Sequence, residues 1–548
     1  MAEEEVLIKE PTEYDPVAGK KLAEWCWALF EYTEREKSKK VDPSQWDKVW
    51  EFVRGKQWEG DFPSYRRPIV HNTWRRTLHI LLSVITGERP IIKVVPQGQI
   101  SQQEINIIQH ALWAIFEKEE ISQKYEMCCL WAWICNGGWM KVGYGTRNPL
   151  LRFHYVDDSE RAKTVDDVIV ECIHPAKIFV DPECTDPSLA SAAYIIYREV
   201  VDFYEVCRRF PQQAKYVVPD DEVSISYVRR PVMTGLQPSH ESERASFNRP
   251  RVTILEVWLD DPSLELYYEK KYVGVDADTG QPLYESVPRW RPKYPFGRTI
   301  TCTKDVVLRD MPNPYGECFG WEMRWPFVYL QGSVDVDPIW SPGVLSSVEE
   351  EQRAINRCLQ LLLENIIRFT SGYVIADINA IDEEEWETLR LFPGAKIRKT
   401  PQSEFRIEYP QPIPEHALRV PDYFSTKIEQ EVGLHDPPVT PGQAVAAKTV
   451  EFLQRKGNFL LGLLAKKGDE FLERLGSRIL GLMLYFYQQG RPIPYFDRET
   501  YQTVLEYWPA LPQGLRLRVE ASSAWLEILA ALQRQERAER ERRGRGQR

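Results

Sequence analysis

The spacing of apolar positions changes character along the chain. From residue 12 to residue 57 apolar side chains recur at three- and four-residue steps, with Leu22, Trp25, Leu29 and Tyr32 as the clearest run, and the stretch reads as helix. The Gly- and Pro-punctuated "GKQWEGDFPSYRRP" reads as a loop, and "NTWRRTLHILLSVITG" as an amphipathic helix closed by Gly87. "PIIKVVP" predicts a short strand and Gln102 to Glu120 a helix. "YEMCCLWAWICNGGWMKVGY" predicts an apolar helix that breaks at Gly137 and Gly138 and then enters a strand.

Between about 150 and 330 the period shortens. Runs such as "DVIVECIHP", "KIFVDP", "AAYIIYREV", "RVTILEVWL", "LELYYEKKYVG" and "RTITCTKDVVLRD" alternate with turns rich in Pro, Asp and Gly, which predicts mixed β-structure. The polar stretch 228–250 reads as a mobile loop.

From Pro342 the helical period returns. "SPGVLSSVEEEQRAINRCLQLLLENIIRF" carries Leu345, Val348, Ile355, Leu359, Leu362 and Ile366 on one face of a helix of about 27 residues, roughly 40 Å long. Its glutamates sit near the N-terminus, where the helix dipole favours them. A small module follows: strand "GYVIAD", helix "DEEEWETLRLF", strands "AKIRKT" and "FRIEYP". The helix "PEHALRVPDYFSTKIEQEVG", kinked at Pro421, leads into "GLHDPPVTPGQAVAAKT", and a long helix runs from about Ala444 to Gln489. The tail ends in a helix, "SAWLEILAALQRQERAERERR", that runs into Arg-rich "GRGQR".

Composition narrows the function. The 548 residues suggest about three or four domains, and a hydrophobic content of 43% excludes a disordered chain. A net charge of −11 argues against a tight nucleic-acid clamp; contact with DNA would be weak or sliding. The acidic "MAEEEVLIKE" is unlike a signal peptide, and the longest apolar runs are too short for a bilayer, so a soluble protein made in a cytoplasm is expected. The ten cysteines form no CxxC pair, and Cys172, His174 and Cys184 match no zinc spacing, so ordinary buried thiols are expected.

No phosphate-binding loop, dinucleotide fingerprint, HExxH or GxSxG is present. His79, on an apolar helix face, reads as a buried structural histidine. The acidic clusters 219–222, 335–338 and 382–387 read as turns or solvated faces rather than cation sites. The arginines from Arg534 to Arg548 read equally as a solvated tail or a nucleic-acid contact. No catalytic, metal-binding or cofactor-binding residue is assigned.

The order of elements resembles a bacteriophage portal protein, the head-to-tail connector of podovirus-like phages. "FVRGKQWEGDFPSYRRPIVHNTWRRTLHILLSVITGERPIIKVVP" is similar to the entry of the portal wing, and "HPAKIFVDPECTDPSLASAAYIIYREV" and "DMPNPYGECFGWEMRWPFVYL" to later wing segments. The resemblance implies an α+β portal fold: a mixed α/β wing over 1–340, a first stem helix over 341–370 and a small α/β clip over 371–413. A second stem helix over 414–433, a tunnel loop over 434–447, a long wing helix over 448–489 and a mainly helical crown and C-terminal tail over 490–548 complete it.

The same resemblance implies a ring of copies, a dodecamer, at one capsid vertex of the virion, with double-stranded DNA passing along its axis in packaging and ejection. The implied partners are further copies of the chain, the large terminase subunit, major capsid and scaffolding proteins, and tail or adaptor proteins; no enzyme activity, cofactor or membrane is implied. The tunnel loop would present His435, Asp436, Pro437, Pro438, Val439, Thr440, Pro441 and Gln443 to the DNA. Its prolines restrict the backbone, Gly433 and Gly442 permit the bends, and its low charge avoids gripping phosphate. Gln352, Arg353, Asn356, Lys427 and Glu431 would line the stem wall, and Glu383, Glu384, Glu385 and Arg390 would face terminase on the clip. The alternatives are a capsid or adaptor protein without a channel, and a nucleic-acid-processing packaging enzyme.

Overall fold

The computed structural model describes residues 16–41, 43–60, 68–86, 91–135, 137–145, 166–220, 250–275, 282–333, 335, 337–340, 343–371, 373–376, 405–408, 414–433, 447–497, 502–511, 515 and 517–522. The helices are α1 (Pro16–Lys40), α2 (Pro43–Val53), α3 (Thr73–Thr86), α4 (Gln102–Lys118), α5 (Ile121–Ile134), α6 (Phe203–Arg209), α7 (Gly316–Phe319), α8 (Glu349–Ser371), α9 (Glu415–Leu418), α10 (Val420–Glu431) and α11 (Ala447–Phe486). Between α3 and α4 lies β1 (Ile91–Pro96), and β2 (Gly138–Gly145), β3 (Asp167–Ile173), β4 (Ile178–Val180) and β5 (Tyr194–Asp202) precede α6. The strands β6 (Arg251–Leu259), β7 (Leu264–Val275), β8 (Pro282–Pro292), β9 (Arg298–Cys302), β10 (Val307–Pro312) and β11 (Phe327–Leu330) follow. The chain adds β12 (Tyr373–Ala376), β13 (Phe405–Glu408), β14 (Pro492–Asp497), β15 (Gln502–Tyr507) and β16 (Leu517–Ser522).

Two units emerge from the packing. One comprises Met1–Trp46, Ile85–Gly343 and Leu464–Arg548; the other comprises Asp47–Val84 and Val344–Leu463.

The first unit holds the β-structure expected between 150 and 330. A five-stranded sheet runs β10-β9-β6-β5-β4, with antiparallel neighbours throughout. α1 lays Ala23, Cys26 and Phe30 on this sheet against Phe179, Ile196, Leu255, Val257 and Ile300. A second sheet, β11-β2-β3, carries α5. The contact is so close that a Cβ on Gly138 would overlap the Cys128 carbonyl, which accounts for the glycine at the helix-to-strand break. α11 packs on α5 in the same way, with Gly468 under the Tyr125 ring and Tyr125 stacked on Phe471 at 6.0 Å. Lys37 is buried inside this unit: its ammonium donates to the carbonyls of Pro175 (2.6 Å) and Ile178 (2.7 Å) and lies over the Phe179 and Trp340 rings. Burial, more than the nearby Arg198, holds its pKa well below the usual lysine value.

Four expectations change. The helical stretch 12–57 is two helices, because Pro43, in the first turn of α2, has no N–H to continue α1; residues 12–15 lie outside the described set. His79 is exposed, while Trp74, Leu78 and Leu81 form the buried face of α3. The first stem helix starts at Glu349, after a 3-10 turn at Ser346–Val348.

The mainly helical region expected after 490 is built of strands where it is described. β14 and β15 form a hairpin, and β16 pairs with β1 in register Val94↔Val519. Exposed Pro492 and Pro494 alternate with buried Ile493, the period of a strand. His110 anchors the hairpin to α4, stacked on Tyr495 at 4.2 Å and bonded to Glu506 at 3.0 Å. The expected terminal helix, the polar stretch 228–250 (apart from Pro250) and Gly87 lie outside the described residues.

Of the acidic clusters, 382–387 lies outside the described residues, and described carboxylates of the other two bond to backbone amides. Asp337 accepts from the amides of Ile339 and Trp340 and pairs with Lys40, and Asp220 accepts from the Thr253 amide. Among the described residues no group of His, Cys, Asp or Glu is placed to hold a metal ion, and no helix is long and apolar enough to cross a membrane.

Candidate functional site

The second unit contains the elements expected to form stem and clip. α8 opens on Glu349, Glu350 and Glu351, whose charges complement the positive end of the helix dipole. Further along α8, Gln352, Asn356 and Gln360 recur every fourth residue and so share one face. Opposite them runs the irregular segment before α3, whose backbone amides have no ladder of their own. The three side chains supply it. Gln352 accepts from the Trp74 amide (3.1 Å), Asn356 from His71 (2.9 Å) and Gln360 from Ile69 (3.1 Å).

The network continues behind them. Gln352 donates to the His71 carbonyl (2.7 Å), and Asn356 donates to Gln57 (2.5 Å). Gln57 in turn donates to Asn72 (3.1 Å) and to the Phe52 carbonyl (2.9 Å). The Trp74 indole donates to the Val348 carbonyl at 3.1 Å. Gln352 and Asn356, expected on the channel wall, are thus wholly buried in the protomer. Their four-residue spacing turns them toward residues 69–74. The amide spacing on α8 was the available signal, but it does not reveal which distant segment it serves.

The charged residues of the stem behave differently. Arg353 pairs with Glu349 (2.7 Å), lies 5.1 Å above the Phe52 ring and stays partly exposed. Lys427 on α10 pairs with Glu351 on α8 at 2.6 Å, tying the helices together. The hydrogen bond from Lys427 holds the Glu351 carboxyl below its usual range. Glu431 is exposed at the end of α10.

α9 and α10 are separated at Arg419, just before Pro421, where the sequence predicts the kink. α10 ends on Gly433 at φ +79°, with its amide bonded back to the Gln430 carbonyl (3.1 Å). This left-handed turn is the bend expected at the entry of the tunnel loop. His435, Asp436, Pro437, Pro438, Val439, Thr440, Pro441 and Gln443, with Gly442, lie outside the described residues, as do Glu383, Glu384, Glu385 and Arg390. Of the region expected to form the clip, β12 and β13 form an antiparallel pair in register Val374↔Ile407.

Past the polar ladder, α8 changes character. Leu361 (51%), Ile366 (51%) and Ile367 (53%) are all half exposed, and Leu363 is little less so. At 100° per residue Leu363, Ile366 and Ile367 share an arc of about 100°, while Leu361 lies on the other side of the helix, flanked by Glu364 and Asn365. On the neighbouring helices Leu418 and Tyr423 are exposed as well. An exposed apolar arc of this kind is a candidate contact surface.

A protein-family model described as "Phage P22-like portal protein" matches residues 43–506, most of the chain. No curated protein matches it. The matched span runs from α2 into β15, and the chain belongs to the phage P22-like portal protein family.

Proposed function

We propose that copies of this chain close into a dodecameric ring at a capsid vertex, with α8 and α10 as the wall of the channel that passes double-stranded DNA. The observation that carries this reading is the exposed apolar arc of Leu363, Ile366 and Ile367 on α8, with Leu361 exposed nearby, left open to water in a single protomer. Side-by-side copies in a cyclic ring would bury it through heterologous contacts that close on themselves.

In this reading Arg353, Lys427 and Glu431 stand at or near the wall. Arg353 and Lys427 are already engaged by Glu349 and Glu351, so they offer a passing phosphate little unpaired charge. Residues 435–443 reach toward the axis. Glu383, Glu384, Glu385 and Arg390 meet the large terminase subunit. Capsid, scaffolding and tail or adaptor proteins dock on the remaining outer surface, and the chain makes or breaks no bond itself.

Substituting Ile366→Glu tests the interface. Mass photometry is expected to find the variant largely as protomers, with an unchanged circular dichroism spectrum. A variant that assembles like the parent would remove the main support. For the loop, deleting 434–447 should leave rings intact and reduce packaged DNA, and unchanged packaging would refute its role.

A further inference from the structure

Cys128 and Cys172 are 44 residues apart in sequence, yet their sulfurs lie 3.3 Å from each other. The proximity has a structural cause. Gly138 lets the α5 backbone settle directly on β2, and Cys128 then reaches past β2 to its neighbour β3, in contact also with the Trp139 carbonyl at 3.5 Å. Cys172 sits on β3, the edge strand of the β11-β2-β3 sheet, and its thiol contacts the Lys124 carbonyl of α5 at 3.6 Å. A disulfide needs the sulfurs at about 2.05 Å, so closure requires a side-chain movement of roughly 1.3 Å.

We propose that Cys128 and Cys172 are a modification site: on exposure to a low-molecular-weight disulfide such as oxidised glutathione they form an intramolecular disulfide that fastens α5 to β3. Exposure sets the order of events. Cys172 is half-buried and can be reached from solvent, whereas Cys128 is enclosed and its thiol is kept protonated by burial. The Cys172 thiolate, its proton released to water, attacks one sulfur of oxidised glutathione. The glutathione S–S bond breaks and one glutathione thiolate leaves. Cys128 then loses its proton, attacks Cys172 Sγ in the mixed disulfide and displaces the second glutathione. Two protein thiols are oxidised and one external disulfide is reduced to two thiols.

Other cysteines mark the selectivity. Cys26 and Cys302 also touch, but both are fully buried between α1 and the five-stranded sheet, where glutathione has no access. Cys129, next in sequence to Cys128, is fully buried and hydrogen-bonded to Tyr125.

The test treats the folded full-length chain with oxidised glutathione, quenches in acid and maps peptides by mass spectrometry without reduction. The expected product joins Cys128 to Cys172, assigned by fragment ions. The melting temperature should rise and return when reductant is added, because the cross-link restricts the unfolded chain. Cys172→Ser should abolish both effects and melt like the reduced parent, whereas Cys129→Ser should retain the link. Three results would overturn the proposal: Cys172 persisting as the glutathione mixed disulfide, a link that forms only in denaturant, or a Cys26–Cys302 link that forms as fast.

Discussion

Asn356 is wholly enclosed, yet it accepts from the His71 amide and donates to Gln57. Replacing it with leucine keeps approximate volume but strands both partners. Leaving buried donors and acceptors unpaired costs about 1–3 kcal/mol, so Asn356→Leu should lower the urea midpoint of the protomer, while Arg353→Met, on the exposed side of the helix, should move it far less. His174 gives a pH signature. Its Nδ1 accepts from the Ala176 amide at 3.1 Å, and its ring meets Trp131 edge-on at 5.1 Å. Burial first, then the charges of Lys37 and Lys177, lower its pKa from 6.5 to about 4. Between those values the unfolded chain binds a proton that the native site refuses, so stability declines as pH falls from 6.5 toward 4 and this contribution levels off below. Asn at 174 can keep the acceptor without the titration. The melting temperature of His174→Asn should therefore fall less than the parent's as pH drops from 6.5 to 5, inside the window set by the two pKa values; parallel curves would contradict the assignment.

Among the elements, the two glycines that matter most do different things. Gly138 has no room for a side chain because α5 lies on it, and the obstructing atom is backbone, which cannot swing away. Gly138→Ala should cost about 1–3 kcal/mol or more, as overpacked cores do, visible as a lower melting temperature. Gly433 instead holds a φ of +79°, unfavourable for any other residue, so Gly433→Ala should cost about 1–2 kcal/mol. Local patterns made much of this legible. The strand runs at 167–173, 194–202, 251–259 and 298–302, and the break at Gly137 and Gly138, all announce themselves through period and turn residues. The α1–α2 break was legible at Pro43 and went unread. The pairing of β1 with β16 was not legible, since the partners are more than four hundred residues apart and neither strand carries the other's register. The amide ladder on α8 is half legible: the spacing is in the sequence, but the segment it supports is chosen by the fold, which buries Gln352 and Asn356 against residues 69–74.

At the scale of the molecule, what identified the chain was the order of its parts rather than any single residue. The sequence reads as helix, small strand–helix module, kinked helix, Pro- and Gly-rich stretch and long helix, an order that resembles a portal, and the family model matches over 43–506. The proposed channel works through shape and weak contact. The acidic chain, with a net charge of −11, fits a lining that does not hold phosphate. The same reasoning makes assembly, not chemistry, the central claim. Electron cryo-microscopy of the purified full-length chain tests it most directly. The account predicts closed rings with an axial channel wide enough for duplex DNA and with α8 from neighbouring copies packed through Leu361, Ile366 and Ile367. Particles that remain single protomers at every concentration, or rings in which those side chains still face water, would contradict it.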